Sequence, residues 1–254
     1  MILQREDETV DGLLNGRLQV IQKKKGYRFS LDALLLASFL RLGRENALLD
    51  MGTGSGVLAL ISAVRRPDVR VVGMDIQEDM VEMATRSAAL NGLEDRVKFR
   101  VGDVRQIRRL FEAESFDAVV CNPPYRKVNS GRINPLGEKA LARHEIRGTL
   151  RDFLEAASYV LKPGGRLFVI YPAQRLVSLI AGMREAVLEP KRCRGVHSRS
   201  DTPGTFVLAE GVKGGGEELE VLPPLFIYKD AEDYTEAMEE IFKELSLIPS
   251  FGGG

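Results

Sequence analysis

Asn122-Pro123-Pro124-Tyr125 is the segment of this sequence whose residue types point to the most specific chemistry. An amino group conjugated to an aromatic ring or a carbonyl is a poor nucleophile, because its lone pair is delocalised. The Asn122 side-chain oxygen and the Pro123 carbonyl can both accept hydrogen bonds from such an NH2. That grip favours a pyramidal nitrogen and aims its lone pair at an electrophile. Tyr125 offers a ring on which a planar group stacks, a contact worth about 1–3 kcal/mol per base. No strong general base is required, since the nitrogen can release its proton after the new bond forms. The bland reading is a strand terminator, because tandem prolines cannot continue a β-ladder.

A second constellation is Asp50-Met51-Gly52-Thr53-Gly54-Ser55-Gly56. Glycines let a backbone approach a ligand closely, and the helix that follows offers unpaired N–H groups. The spacing is G-x-G-x-G rather than the dinucleotide G-x-G-x-x-G, and no Lys-Ser/Thr follows as in a Walker loop. The nearby acids discriminate further. Asp50 sits beside the loop, where a pyrophosphate would meet like charge. Asp75 ends the next strand, suited to accept from ribose hydroxyls. Asp103 follows the third strand, suited to an adenine amino group. Each Asp alone could be a simple cap. Together they suit a cationic adenosyl ligand, and S-adenosylmethionine fits, with its sulfonium and ammonium and no phosphate.

These residues need a frame that brings strand ends together. Ala47–Met51, Val69–Met74, Val97–Val101, Phe116–Cys121 and Arg166–Tyr171 read as strands. Helices are expected from about Gly56 to Arg65, from Glu78 to Asn91 with Met80, Ala84 and Ala88 on one face, and from a Thr149/Asp152 capping box to Leu161. This alternation predicts an α/β fold with a parallel sheet covered on both faces. Lys191–Ser198 and Thr205–Val212 flank Asp201-Thr202-Pro203-Gly204, an antiparallel pair completing the sheet edge. Near the N-terminus, Leu18–Gln22 and Tyr27–Phe29 suggest a hairpin around Lys23-Lys24-Lys25-Gly26. Ser30 then caps a helix to about Leu42, closed by Gly43. The expected organisation is a hairpin and lid helix over 1–46, a core over 47–212, and an extension over 213–254 with an acidic helix, Ala231–Leu245.

The ordering from Asp50 to Tyr125 resembles the class I S-adenosylmethionine-dependent methyltransferases, in the branch that methylates amino nitrogens through an NPPY motif. The resemblance covers about residues 10–230. The glycine loop is common to that superfamily, whereas Asn-Pro-Pro-Tyr is far more restrictive. Gly26-Tyr-Arg-Phe-Ser-Leu-Asp-Ala-Leu-Leu-Leu-Ala37 and Arg143-His144-Glu145 are most similar to the bacterial tRNA1(Val) adenine-N(6)-methyltransferase group. The resemblance implies a Rossmann-like fold with a seven-stranded, mostly parallel sheet, helices on both faces and an antiparallel edge strand. It implies catalytic roles for Asn122, Pro123 and Tyr125. It also implies S-adenosylmethionine contacts at Asp50, Gly52, Thr53, Gly54, Gly56, Asp75, Ile76, Asp103, Val104 and Asn122, with Arg28 in the lid reaching the cofactor carboxylate. The implied target is the adenine at tRNA position 37. The open alternatives are a release-factor-type protein glutamine methyltransferase and a ribosomal RNA guanine methyltransferase. The former usually carries a helical domain ahead of the loop, and the latter more often has Phe at the Tyr125 position. An NAD oxidoreductase would share the strand–glycine–helix unit but leave Asn122-Pro-Pro-Tyr unexplained.

Charge is uneven although Lys+Arg and Asp+Glu are both 36. Arg126–Arg151 and Lys191–Arg199 are basic, and the part after Glu217 is acidic. A zero net charge excludes a uniformly basic coat but leaves two stretches for RNA, expected to be tRNA. The bland reading makes them solvated faces. Val128–Gly137 is expected to be a mobile loop. Neither His144 nor His197 is expected to catalyse. Cys121 reads as a small buried residue, and Cys193, among basic neighbours, as a thiol without a partner base. Two cysteines do not make a disulfide framework or a Cys-rich zinc site, and no metal is expected. No run approaches the roughly 20 apolar residues of a membrane span, and the N-terminus lacks the apolar core of a signal peptide. The expected location is the cytoplasm, and oligomeric state is left open.

Overall fold

The computed structural model describes residues 4–25, 31–43, 47–124, 148–230 and 233–246. Arg28, Tyr125, His144 and the basic stretch from Arg126 to Arg147 lie outside these residues, as does the expected Val128–Gly137 loop. The frame is an eight-stranded sheet ordered β10-β8-β9-β7-β6-β3-β4-β5. Its members are β3 (Ala47–Met51), β4 (Arg70–Asp75), β5 (Val97–Val101), β6 (Phe116–Cys121), β7 (Leu161–Pro172), β8 (Leu188–His197), β9 (Gly204–Lys213) and β10 (Glu220–Phe226). β9 alone runs antiparallel to its neighbours.

Side chains alternate across this sheet, so each strand feeds two apolar layers. Leu48, Ala118, Val120 and Phe168 join a cluster with Leu35 and Leu36 of α1 (Leu31–Phe39) and Leu60 and Ile61 of α2 (Val57–Arg65). Leu49, Val119, Leu167 and Val169 face the other way. They meet Phe153 and Leu154 of α5 (Leu150–Val160) and Leu179 and Met183 of α6 (Leu176–Glu185). Between β5 and β6 lie a 3₁₀ turn, Val104–Gln106, and a single helical turn, α4 (Ile107–Leu110). α3 (Glu78–Leu90) buries Val81, Met83, Ala84, Ser87 and Ala88. Met80 is only half-buried, one turn-edge away from the expected stripe.

The capping box is formed: the Thr149 N–H donates to Asp152 Oδ2 at 2.7 Å, and the Asp152 N–H donates back to Thr149 Oγ1 at 3.3 Å.

Three expectations need correction. The sheet has eight strands, not seven, because Glu220–Phe226 adds β10 parallel to β8. The antiparallel β8–β9 pair is present, but β9 is interior, between β7 and β8, so it is not the edge. The N-terminal hairpin pairs Leu18–Lys23 (β2) with Glu8–Leu13 (β1); the expected partner Tyr27–Phe29 lies outside the described residues. Its turn runs through Leu14, Asn15 and Gly16, all at positive φ (54°, 57° and 81°), a conformation that Asn-Gly supports. α1 stops at Phe39, short of Leu42.

Beyond the core, Met238, Ile241 and Leu245 of the last helix, α7 (Glu236–Ser246), bury into the same layer as α1. Among the described residues no helix is long and apolar enough to cross a membrane.

Candidate active site

The parallel neighbours β6, β3, β4 and β5 end at one edge, and every acid singled out by the sequence lies there. Register sets Asp50 beside Val120 and Gly73, and Met51 beside Cys121 and Met74. Asn122 is therefore the first residue past the strand adjoining Asp50. Ladder pairing makes this juxtaposition obligatory rather than incidental.

The glycine loop is a set of hydrogen bonds closed around these strand ends. The Gly52 and Thr53 N–H groups both donate to the Met74 carbonyl, at 2.8 and 3.0 Å. The Gly54 N–H donates to Asp75 Oδ2 at 2.9 Å. Gly52, Gly54 and Gly56 have φ of 74°, 54° and 83°, a region costly for side chains. At Gly56 a Cβ would stand 2.8 Å from the Phe99 ring and 2.9 Å from the Ala84 Cβ. Gly73, which the spacing argument does not reach, is tighter still: a Cβ there would lie 2.4 Å from Phe99 and 2.8 Å from Thr53 Oγ1. A glycine inside an apolar strand is the signal of such an approach. Phe153 lies against Gly52, 3.5 Å from where its Cβ would be.

Asp50 is buried, 1% exposed. Its Oδ2 accepts from the Thr53 hydroxyl at 2.6 Å and from the Ala59 N–H at 3.2 Å. Its Oδ1 has no hydrogen-bond partner among the described residues, and the same is true of Asn122 Oδ1 and Ser55 Oγ. Burial pushes the Asp50 carboxyl up from 3.8 to about 7 against the help of its two donors, with nearby Asp75 adding in the same direction. Buried polar atoms are nearly always paired, so three orphans gathered at one sheet edge make it the candidate ligand position. Asp75 Oδ1 accepts from the Gln77 N–H at 2.9 Å and the Gln77 amide at 3.3 Å. Asp103 caps the 3₁₀ turn by accepting from the Arg105 N–H at 2.9 Å, and its Oδ1 also accepts from Arg105 Nε at 2.9 Å. That guanidinium holds Asp103 below the usual carboxylate range. Ile76 is half-buried and Val104 is buried. Pro123 is buried and Pro124 half-buried.

The structure does not gather every flagged residue here. In Lys191–Arg199, Lys191 donates to the Gly216 and Glu217 carbonyls at 3.1 and 2.9 Å. Arg194 donates to Pro223 at 3.0 Å, and Arg192 is buried against Glu210. Arg192 also lies 4.5 Å over the Phe39 ring. His197 Nδ1 bonds the Thr202 carbonyl at 2.8 Å, away from the strand ends just described. Cys121 and Cys193 are both buried, and burial pushes both thiols up. No group of three or more His, Cys, Asp or Glu suited to a metal occurs among the described residues.

Residues 43–213 match a protein-family model described as a methyltransferase domain, which is more than half of the chain. The chain belongs to this family. As a methyltransferase it is 34% identical over 171 residues to a tRNA1(Val) (adenine(37)-N6)-methyltransferase of Porphyromonas gingivalis, covering 64% of this chain and 66% of that protein. A protein of the same name from Tolumonas auensis is 28% identical over 208 residues, covering 81% and 85%. The chain spans about half to two thirds of the length of the first three such relatives (66%, 51% and 48%). The fold matches the crystal structure of a predicted O-methyltransferase from Agrobacterium tumefaciens, with TM-score 0.68 and 22% identity over 85% of this chain and 96% of that one.

Proposed function

We propose that this methyltransferase transfers a methyl group from S-adenosylmethionine to the exocyclic amino group of adenine in tRNA, at position 37, in the cytoplasm. The observation that carries the reading is Asn122 Oδ1, a buried acceptor with no partner among the described residues, one residue past the strand beside the glycine loop. A conjugated NH2 is the kind of donor such an oxygen lacks.

The site residues fit the cofactor chemically. Asp50 Oδ1 and Ser55 Oγ are further orphans at the loop, and the missing side chains at Gly56 and Gly73 let Phe99, Ala84 and Thr53 pack tightly beneath it. Asp75 would receive the ribose hydroxyls and Asp103 the adenine amino group, with Ile76 and Val104 flanking the base. The loop amides of Gly52 and Thr53 are consumed in holding the Met74 carbonyl, so the loop is rigid before any ligand arrives. When bound, the cofactor supplies an electrophilic methyl on a sulfonium.

The chain's own groups do the rest. Asn122 Oδ1 and the Pro123 carbonyl accept the two N–H bonds of the target amine, which withdraws its lone pair from conjugation. The Pro123 ring fixes its φ, and the following Pro124 restricts its ψ to the extended range, which together set the direction of that carbonyl. The unpaired Asn122 oxygen then stabilises positive charge as it grows on nitrogen. Tyr125 supplies the stacking ring in this scheme. The names of the relatives support RNA over a protein amide, and Asn122-Pro-Pro-Tyr supports an amino nitrogen over an oxygen.

Incubation with labelled cofactor and, separately, unmodified tRNA and release factor tests this. Label in tRNA as N(6)-methyladenosine is expected; label on the protein alone overturns it. Tighter calorimetric binding of NAD than of S-adenosylhomocysteine would remove the methyltransfer chemistry altogether.

A further inference from the structure

We infer that the RNA backbone crosses the arginine face of α4, formed by Arg105, Arg108 and Arg109 with Arg100 beside them; this rests on the RNA reading above. Neither basic stretch flagged in the sequence includes these residues. Arg105, Arg108 and Arg109 follow an i, i+3, i+4 spacing through the 3₁₀ turn and α4, so they share one helical face. Val104 and Ile107 bury the opposite face.

All four side chains are exposed, yet three are held in place. The Arg108 guanidinium lies 4.4 Å from the centroid of the Tyr159 ring. Arg100 lies 4.8 Å over Phe111 and donates to the Leu110 carbonyl at 2.8 Å. Arg105 is fixed by Asp103. A stacked guanidinium retains edge N–H donors, which suits it to phosphate oxygens.

The surrounding acids are mostly engaged elsewhere. Asp103 pairs with Arg105, Asp152 accepts from Thr149, and Glu114 pairs with Lys213 at 3.2 Å. Glu112 is exposed on the same turn. Arg100, Arg108 and Arg109 have no ion pair among the described residues. The face is therefore net positive, whereas Lys191, Arg192 and Arg194 are spent on carbonyls and Glu210. α4 follows β5, three strands and about 14 Å across the sheet from β6, and runs down from the edge that carries Asn122. Arg105 pairs with Asp103 at that edge, whereas Tyr159, which Arg108 covers, accepts the Glu114 N–H ahead of β6, so the face leads away from the target position along the side of the domain.

The test uses the full chain, with tRNA transcript binding measured from 50 to 200 mM salt. Arg108→Gln/Arg109→Gln is expected to weaken tRNA binding about tenfold at 100 mM salt and to flatten the salt slope by about one per lost contact. KM for tRNA rises while kcat at saturating tRNA and S-adenosylhomocysteine affinity stay near wild type. Arg109→Gln alone leaves the Arg108–Tyr159 contact intact and should flatten the slope by about one. The inference is overturned, with the RNA reading intact, if these variants methylate tRNA with wild-type affinity and slope. It is equally overturned if Lys191→Gln/Arg194→Gln carries the loss instead. If the wild-type protein binds no RNA, both readings fail together.

Discussion

Glu8 and Asp50 are both buried carboxylates, and the molecule treats them in opposite ways. Glu8, on the N-terminal hairpin, is saturated. Its two oxygens accept from both Arg86 Nη atoms at 2.7 Å, and it also takes the Arg5 N–H at 2.9 Å and stands 3.6 Å from Lys23 Nζ. These partners, the Arg86 bonds foremost, hold it down from 4.5 to about 2. Asp50 has donors on one oxygen only, and burial carries it up to about 7. A charge with full satisfaction locks an element in place; a charge left short implies something yet to come. Glu8 fastens β1–β2 to α3, helped by the Ile21 N–H to Ser87 Oγ at 3.0 Å and by Asn91 bonded to Gln19. Asp50 belongs with Asn122 and Ser55 at the edge where a ligand would supply what the protein withholds.

The largest effect should come from Asn122→Ala. Removing one preorganised acceptor of growing charge is expected to slow single-turnover methyl transfer about 10²–10³-fold. S-adenosylhomocysteine affinity and the thermal midpoint should move little, and unchanged turnover would contradict the role given to Asn122. Glu8→Gln comes next, as a stability effect. Breaking a buried pair should cost about 3 kcal/mol in urea unfolding, because Arg86 is left with the half-exposed Glu82 as its remaining carboxylate partner.

The same contrast governs pH. Glu8 is depressed in the folded state, so its contribution is complete above about 4.5 and is lost as pH falls toward 2. Asp50 is raised, so its contribution is complete below 3.8 and is lost as pH rises through about 7. Urea midpoints from pH 2 to 9 should show the acid limb vanish in Glu8→Gln and the neutral limb flatten in Asp50→Asn.

Much of this was readable from residue order, and the failures share a cause. β3 and β6 are short, largely apolar runs and β5 alternates apolar with basic residues, and the glycines and acids follow them at fixed offsets. The Thr149 box is likewise local. The pairing of β1 was not legible, because Glu-Thr-Val-Asp-Gly-Leu has little apolar alternation and depends on Arg86, 78 residues away. β10 escaped notice because Pro223 and Pro224 argue against a strand, yet an edge tolerates them. The Lys191–Arg199 stretch looked like a nucleic-acid surface because sequence cannot show that Glu210 sits across the ladder from Arg192. Arg105, Arg108 and Arg109 were missed since their shared face exists only once the turn has formed.

Two smaller perturbations sharpen the contrast. Gly73→Ala forces Phe99 and Thr53 apart and should cost about 2 kcal/mol, with weaker cofactor binding beyond that loss. Asp50→Asn is the smallest. It removes a buried charge but leaves an amide short of acceptors, so the free protein should gain on the order of 1 kcal/mol at pH 8. Cofactor affinity should nonetheless fall, and a clear loss of stability instead would place Asp50 with Glu8 as a structural anchor.

The interior position of β9 has an effect on how the molecule is made. β8 precedes β9 in the chain, yet β9 lies between it and β7. During synthesis, β8 therefore emerges with no sheet neighbour to accept it and must wait for the following strand. The β8–β9 hairpin is obliged to join as one piece, and β10 only afterwards. The β10-β8-β9 end of the sheet is thus assembled out of translation order, and a nascent chain whose β8 has emerged while β9 is still inside the ribosome would hold an unsheltered strand carrying Cys193 and Val196.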